Sequence, residues 1–235
     1  MYAHLSLIAY IYLYMVSSIT KKYPVNCRSV ILSSSEKDLN DIEYADKFYF
    51  SNDWVSGNYS YWSDQLKKYK DYKKIKILQL GVFEGRMTVY LHEEFFPQKK
   101  CEYTCVDSFG KTENTYFNQH QLNKRYDETA AFKRFKHNTK NYTDINLISS
   151  ETNTVSFIDL FDLIILDTDD KTIKDDVTRY VNNLTPHGTL FICYKLSAKT
   201  LGCVKKILPK AFNLSAERNH LDFENIHIFK STQNL

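Results

Sequence analysis

Glycine and proline are scarce in this chain, with 6 Gly and 4 Pro among 235 residues. That excludes collagen-like and low-complexity architectures and leaves little room for flexible linkers. Cysteine is sparse and unpatterned. Cys27, Cys101, Cys105, Cys193 and Cys203 are odd in number and show no CxxC spacing, so neither a zinc ribbon nor a disulfide scaffold is indicated. Neither sign of charge dominates: 31 Lys and Arg against 28 Asp and Glu leave a formal net charge of +3. A dedicated nucleic-acid binder has a denser cationic face, so RNA is permitted but not implied. The nearly unbroken apolar run from Leu5 to Val16 falls short of the ~20 residues of a membrane helix. It reads as a packed strand or helix, as a signal or anchor segment with no Lys or Arg before it, or as the product of a wrongly assigned start. No integral membrane span and a cytoplasmic location are expected.

What is present is apolar surface. Hydrophobic residues make up 43% of the chain, enough for the core of one large domain with an N-terminal extension. Residues 1–73 read as that extension, an apolar leader followed by helical, lid-like segments. Ser33 to Lys47 has the pattern of a capped polar helix, and Trp62 to Tyr69 that of a short helix. From Lys74 onward short apolar runs alternate with amphipathic stretches, the signature of βαβ units. Strands are predicted at 75–80, 103–107, 145–149, 161–167 and 189–193, and helices at 86–95, 127–140, 173–184 and 200–208, with a turn at Pro186-His187-Gly188. Two closing apolar runs, 212–214 and 225–229, have no helix between them and predict an antiparallel hairpin at the sheet edge. Residues 74–235 are thus expected to form a doubly wound α/β domain with a mostly parallel seven-stranded sheet.

In such sheets ligands bind beyond the carboxyl ends of the strands, where strand order reverses. The loops after Leu80, Asp107, Ser149 and Asp167 should therefore surround one crevice. The first reads Gly81-Val-Phe-Glu-Gly85-Arg86. Its glycines allow a tight turn and close backbone approach, but Phe83 stands where GxGxxG has its middle glycine. A ligand without a pyrophosphate, such as an adenosyl sulfonium, suits this loop better than a dinucleotide. Asp107, ending the second strand of the domain, is placed to accept both hydrogens of a ribose diol; its plainer role would be to cap the next helix.

The stretches Lys76-Ile-Leu-Gln-Leu-Gly-Val-Phe-Glu-Gly-Arg-Met-Thr88, Cys105-Val-Asp-Ser-Phe-Gly110 and Phe161-Asp-Leu-Ile-Ile-Leu-Asp167 resemble the motifs of a family of class I S-adenosylmethionine-dependent methyltransferases. Asp53-Trp-Val-Ser-Gly-Asn58 and Trp62 resemble the segment that precedes its first motif. The resemblance covers residues 52 to 195 and is most specific in Phe-Glu-Gly-Arg. It implies that Gly81, Phe83, Gly85 and Arg86 border the cofactor, and that Asp107 with its neighbour Ser108 meets the ribose. Ser150 or Glu151 would lie on the adenine side, and Asp167 would face the transferred methyl. The acidic residue of the first motif is Gln79 here, so its contact with the cofactor would become neutral. The paired aspartates common after the fifth strand are replaced by Cys193-Tyr194-Lys195. Magnesium needs oxygen ligands, so no metal is expected.

Three functions follow as expectations. The first is methyl transfer to an O or N acceptor, a small molecule in preference to RNA, with Asp167 and Lys195 at the reacting centre. The second is a methyltransferase-like binding or scaffold protein without catalysis, suggested by Gln79 and the missing carboxylates. The third is ribose 2′-O-methylation of RNA, because Asp167, Lys195 and Glu224 resemble part of a Lys-Asp-Lys-Glu tetrad, with Lys67, Lys68 or Lys70 as the first lysine.

Overall fold

In the computed structural model the described residues are 31–32, 48–50, 58–95, 100–109, 128–194, 196–210, 212–218 and 226–231. The apolar run Leu5–Val16 and the helix expected over Ser33–Lys47 lie outside them. Two short strands, β1 (Ile31–Leu32) and β2 (Tyr49–Phe50), pair in parallel. Helix α1 (Tyr59–Gln65) and a 3₁₀ turn (Lys67–Asp71) then lead into the sheet.

The sheet follows the expected alternation. Strand β3 (Lys74–Leu80) is followed by α2 (Arg86–Phe95), β4 (Lys100–Asp107) by α3 (Glu128–Thr139), and β5 (Ile145–Ser149) by β6 (Phe161–Leu166). Helix α4 (Ile173–Tyr180), strand β7 (Leu184–Ile192) and helix α5 (Ala198–Ile207) come next. The chain closes with β8 (Phe212–Arg218) and β9 (Ile226–Ser231). The order is β5-β4-β3-β6-β7-β9-β8, with β9 antiparallel to both its neighbours and every other pairing in this sheet parallel. The chain winds outward to one side of β3 and then to the other. The crevice therefore opens between the carboxyl ends of β3 and β6.

Each central strand is buried on both faces, as helix-covered parallel strands are. Ile75, Ile77, Tyr103, Leu163, Ile165 and Phe191 form one core layer with α1, α2 and α3. Leu78, Leu80, Val106, Ile164, Leu166 and Ile192 form the other with α4 and α5. Trp62, Leu66 and Tyr69 belong to the first layer and are at most 1% exposed. The Tyr69 hydroxyl donates to the Asp162 carbonyl at 2.7 Å and lies 2.8 Å from Thr189 Oγ1. That bond pins the 3₁₀ turn to the amino ends of β6 and β7, the end of the sheet away from the crevice.

The structure departs from the sequence expectation at several elements, among them the helix expected over 173–184, which ends at Tyr180 so that Leu184 opens β7. The short helix expected from Trp62 starts three residues earlier, at Tyr59, and its second half tightens into the 3₁₀ turn. The turn expected at Pro186–Gly188 lies inside β7. Phe161 pairs with Leu184 but Leu163 pairs with Thr189, so the turn residues loop out as a bulge. A Cβ at Gly188 would lie 2.9 Å from Leu184 Cδ2 and 3.0 Å from the Thr185 carbonyl oxygen, which is why the bulge closes on glycine.

Candidate active site

The β3–α2 connection bends through three left-handed backbone conformations, at Gly81, Phe83 and Gly85. Gly81 and Gly85 have φ of +78° and +79°. A Cβ at Gly81 would lie 2.2 Å from the Asp167 carbonyl oxygen, so the bend can lie against β6 only without a side chain there. Phe83 also sits at φ +49°, and Phe109, after β4, at +53°. For residues with a Cβ this conformation costs about 1–2 kcal/mol each. Asp107 supplies the compensation. Its Oδ2 accepts the Val82 and Phe83 N–H groups at 2.7 and 2.8 Å, and its Oδ1 accepts the Phe109 N–H at 2.6 Å. One carboxylate thus closes two left-handed turns from two strands.

The crest around this carboxylate is open. Gly81, Phe83, Asp107, Ser108, Ser150 and Asp167 each keep part of their surface exposed. Ser150 N–H donates to the Asp107 carbonyl at 3.0 Å, which seats the β5 end beside the bend. Its hydroxyl lies 2.7 Å from Thr154 Oγ1. Glu151, also partly exposed, precedes the 3₁₀ turn Thr152–Thr154. Asp167 is set by its own N–H, which donates to the Leu80 carbonyl at 2.8 Å. The surrounding protein, and secondarily the charge of Asp107, raise its carboxyl to about 7.

Three of the expected cofactor residues lie off the crest. Gln79 is 1% exposed. Its Oε1 accepts from the Thr88 hydroxyl at 2.9 Å and the Tyr103 hydroxyl at 2.7 Å, while its Nε2 donates to the Gly81 carbonyl at 3.2 Å. It supports the bend from below. Gly85 is buried, and a Cβ there would meet the Phe135 ring at 2.9 Å. Arg86 turns aside: its Nε is 3.4 Å from the Tyr59 hydroxyl and its guanidinium lies 5.1 Å from the Phe50 ring centre.

Several positioning residues escape a reading by motif. Within Phe-Glu-Gly-Arg, Glu84 is buried and accepts from Arg134 Nη1 at 2.8 Å. Asn138 Nδ2 donates to the Glu84 and Tyr49 carbonyls, and Asn138 Oδ1 accepts the Tyr49 N–H. Helix α3 thereby holds both β2 and the bend. On the other rim, Asp176 accepts from the Thr152 hydroxyl at 2.6 Å and the Thr168 hydroxyl at 2.8 Å. Tyr180 donates to the Thr152 and Val155 carbonyls. Arg134 and Asn138 do leave a trace in the sequence, since they fall at helical spacing on the stripe of Ala131 and Phe135.

Lys195 and Glu224 lie outside the described residues. Lys68 Nζ donates to the His187 carbonyl at 2.8 Å, and Lys70 lies 3.7 Å from Glu94 in the last turn of α2. Both lysines are at the amino ends of the strands, remote from Asp167, and Lys67 shares their turn. Among the described residues no three His, Cys, Asp or Glu side chains gather as a metal site, and no helix is long and apolar enough to cross a membrane.

Replacing Arg134 by Met would remove the ion-pair partner that Glu84 Oε1 has at 2.8 Å, beneath the bend. The expected cost is about 3 kcal/mol, read as a lower denaturation midpoint. Combining it with Glu84→Gln should recover most of that loss, and no recovery would argue against the pair.

No family model matches the sequence, and neither does any curated protein. Solved structures do match the fold. A Klebsiella pneumoniae protein assigned to the O-methyltransferases is 10% identical, with a TM-score of 0.56, over 93% of this chain and 94% of its own. Cofactor-bound Rv0187 from MTB is 8% identical, with a TM-score of 0.54, over 84% and 88%. The N-methyltransferase NodS from Bradyrhizobium japonicum WM9, in complex with S-adenosyl-L-homocysteine, is 16% identical with a TM-score of 0.51, over 86% and 100%. At such identities the likeness establishes architecture: this chain has the Rossmann-like fold of the class I S-adenosylmethionine-dependent methyltransferases.

Proposed function

We propose that the protein is an S-adenosylmethionine-dependent methyltransferase acting on an oxygen or nitrogen acceptor of a small molecule. The observation that carries this reading is the pair of carboxylates, Asp107 and Asp167, at one crest between β3, β4 and β6. Two carboxylates repel a pyrophosphate and favour a cationic ligand. Asp107 Oδ1 bears one N–H and keeps a lone pair for a ribose hydroxyl. Ser108 stands beside it, and Ser150 and Glu151 border the side where an adenine would lie. S-adenosylmethionine would supply a methyl group already activated on a sulfonium. The chain's own task is then to align the acceptor and take its proton. Asp167, with its carboxyl raised to about 7, is the base best matched to neutral pH. Gly81, Phe83 and Gly85 shape the cradle, while Gln79 and Arg86 act on it indirectly.

A second reading, an adenosyl-binding protein without turnover, is favoured by the three N–H groups already on Asp107 and by the inward commitment of Gln79. Ribose methylation of RNA is less favoured, because Lys68 and Lys70 stand at the far end of the sheet.

Calorimetric titration tests the cofactor. Asp167 ionises as pH rises through about 7, so S-adenosylmethionine should bind more tightly at pH 8 than at pH 6. S-adenosylhomocysteine shares the ammonium group but lacks the sulfonium charge, and should change little. Asp107→Asn should weaken both by about tenfold or more. Absence of binding to the unaltered protein would remove the proposal. Binding without methyl incorporation from labelled cofactor into any extract fraction would select the second reading.

Stability gives an independent check on Asp167. A carboxyl raised from 3.8 to about 7 on folding favours the native state fully below pH 4. That advantage is lost as pH climbs through 7. Asp167→Asn should therefore gain melting temperature relative to the parent above pH 7 and not at pH 4, while methyl transfer falls by about 10²-fold or more. An equal shift at both pH values would contradict the assignment.

A further inference from the structure

Lys68, on the 3₁₀ turn after α1, and Lys230, near the end of β9, lie in one neighbourhood at the amino-end side of β7: Lys68 bonds His187, and Lys230 bonds Gln65, three residues before Lys68. Lys230 is paired with Thr189 of β7. Strand alternation puts it on the same face as Ile228, which packs with Trp62, Tyr69 and Phe191. Each ammonium is tethered by one neutral acceptor: Lys68 Nζ donates to the His187 carbonyl at 2.8 Å, and Lys230 Nζ to Gln65 Oε1 at 3.1 Å. An ammonium carries three N–H donors, so two remain on each lysine. Neither has a carboxylate within 4 Å among the described residues.

The nearby acidic groups do not fill that role. Asp64 influences Lys230 from farther off. Asp162 faces Lys68 but spends Oδ2 on the Lys76 N–H at 3.0 Å and accepts the Thr185 hydroxyl on Oδ1 at 3.4 Å. Both lysines are half-buried, and Lys68 Nζ lies 4.8 Å from the centre of the Tyr69 ring. Burial first, and the charge of Lys230 second, lower the Lys68 ammonium to about 8. Burial likewise lowers Lys230. Among the described residues, folding has placed two partly dehydrated like charges near one another with no carboxylate within 4 Å of either, an arrangement that a bound anion relieves.

We propose that Lys68 and Lys230 form a binding site for a phosphate group, free or as a monoester, at the end of the sheet opposite the catalytic crest. A doubly charged tetrahedral oxyanion matches two ammonium groups with two uncommitted donors each; a single carboxylate would satisfy only part of them. The site is separate from the cofactor cleft. Lys230 is level with Thr189, and Cys193, just past β7 and level with Asp167, is four residues farther on, or about 13 Å at the rise of a strand.

Titration calorimetry of the full chain with sodium phosphate, at ionic strength held constant with sodium chloride, tests this. Saturable heat is expected, because salts that stabilise only by exclusion from the surface do not saturate. The double variant Lys68→Gln, Lys230→Gln should weaken phosphate binding about tenfold or more and bind S-adenosylhomocysteine as the parent does. Sulfate, which does not titrate in this range, should compete and should bind less tightly as pH rises through 8. A monoester such as glycerol phosphate binding more tightly than inorganic phosphate would identify an esterified ligand, and equal binding a free ion. No saturable heat, or phosphate binding unchanged in a folded double variant, would overturn the site.

Discussion

One carboxylate organises the carboxyl end of this sheet. Asp107 gathers the backbone N–H groups of Val82, Phe83 and Phe109, and two of those residues hold φ above zero despite carrying a Cβ. Charge-assisted bonds of this kind are about twice as strong as neutral ones. They offset the backbone strain and lock the β3 and β4 loops together. Everything proposed for the crest, from the seat of a nucleoside to the placement of Asp167, relies on that closure.

The surrounding structure is arranged to keep the closure in place. Gln79 props the bend from below through Gly81, and Gly81 in turn lies against the Asp167 carbonyl with no room for a side chain. On one side Arg134 and Asn138 of α3 hold Glu84, and on the other Asp176 and Tyr180 of α4 hold the loops after β5 and β6. Rigid elements thus supply loops that are positioned while the crest stays exposed. The price appears at Asp167, whose carboxyl is pushed up to about 7 beside a second acid. A group that costs native stability at neutral pH in a cleft is a functional candidate on physical grounds.

Much of this was legible in the order of residues. Apolar runs such as Phe161–Leu166 announce buried parallel strands, and Asp107 at the end of β4 is in place as expected. The closing hairpin without an intervening helix gives the antiparallel edge. What stayed hidden depends on partners far apart in the chain. Glu84 looks like a surface acid until α3 brings Arg134 against it from 50 residues away. Gln79 reads as a weakened ligand contact, yet its Oε1 is taken by the Thr88 and Tyr103 hydroxyls and its Nε2 donates to the Gly81 carbonyl. Pro186–Gly188 has true turn chemistry, but β7 absorbs the turn as a bulge because β6 pairs on both sides of it. Local propensity names the turn; only tertiary pairing decides where it goes.

The most direct measurement is amide NMR of Val82, Phe83 and Phe109 during titration with S-adenosylhomocysteine. If a nucleoside shares the Asp107 carboxylate, these three resonances should shift together and saturate at one concentration. Saturation elsewhere with all three unmoved would place the ligand away from the bend and contradict the account.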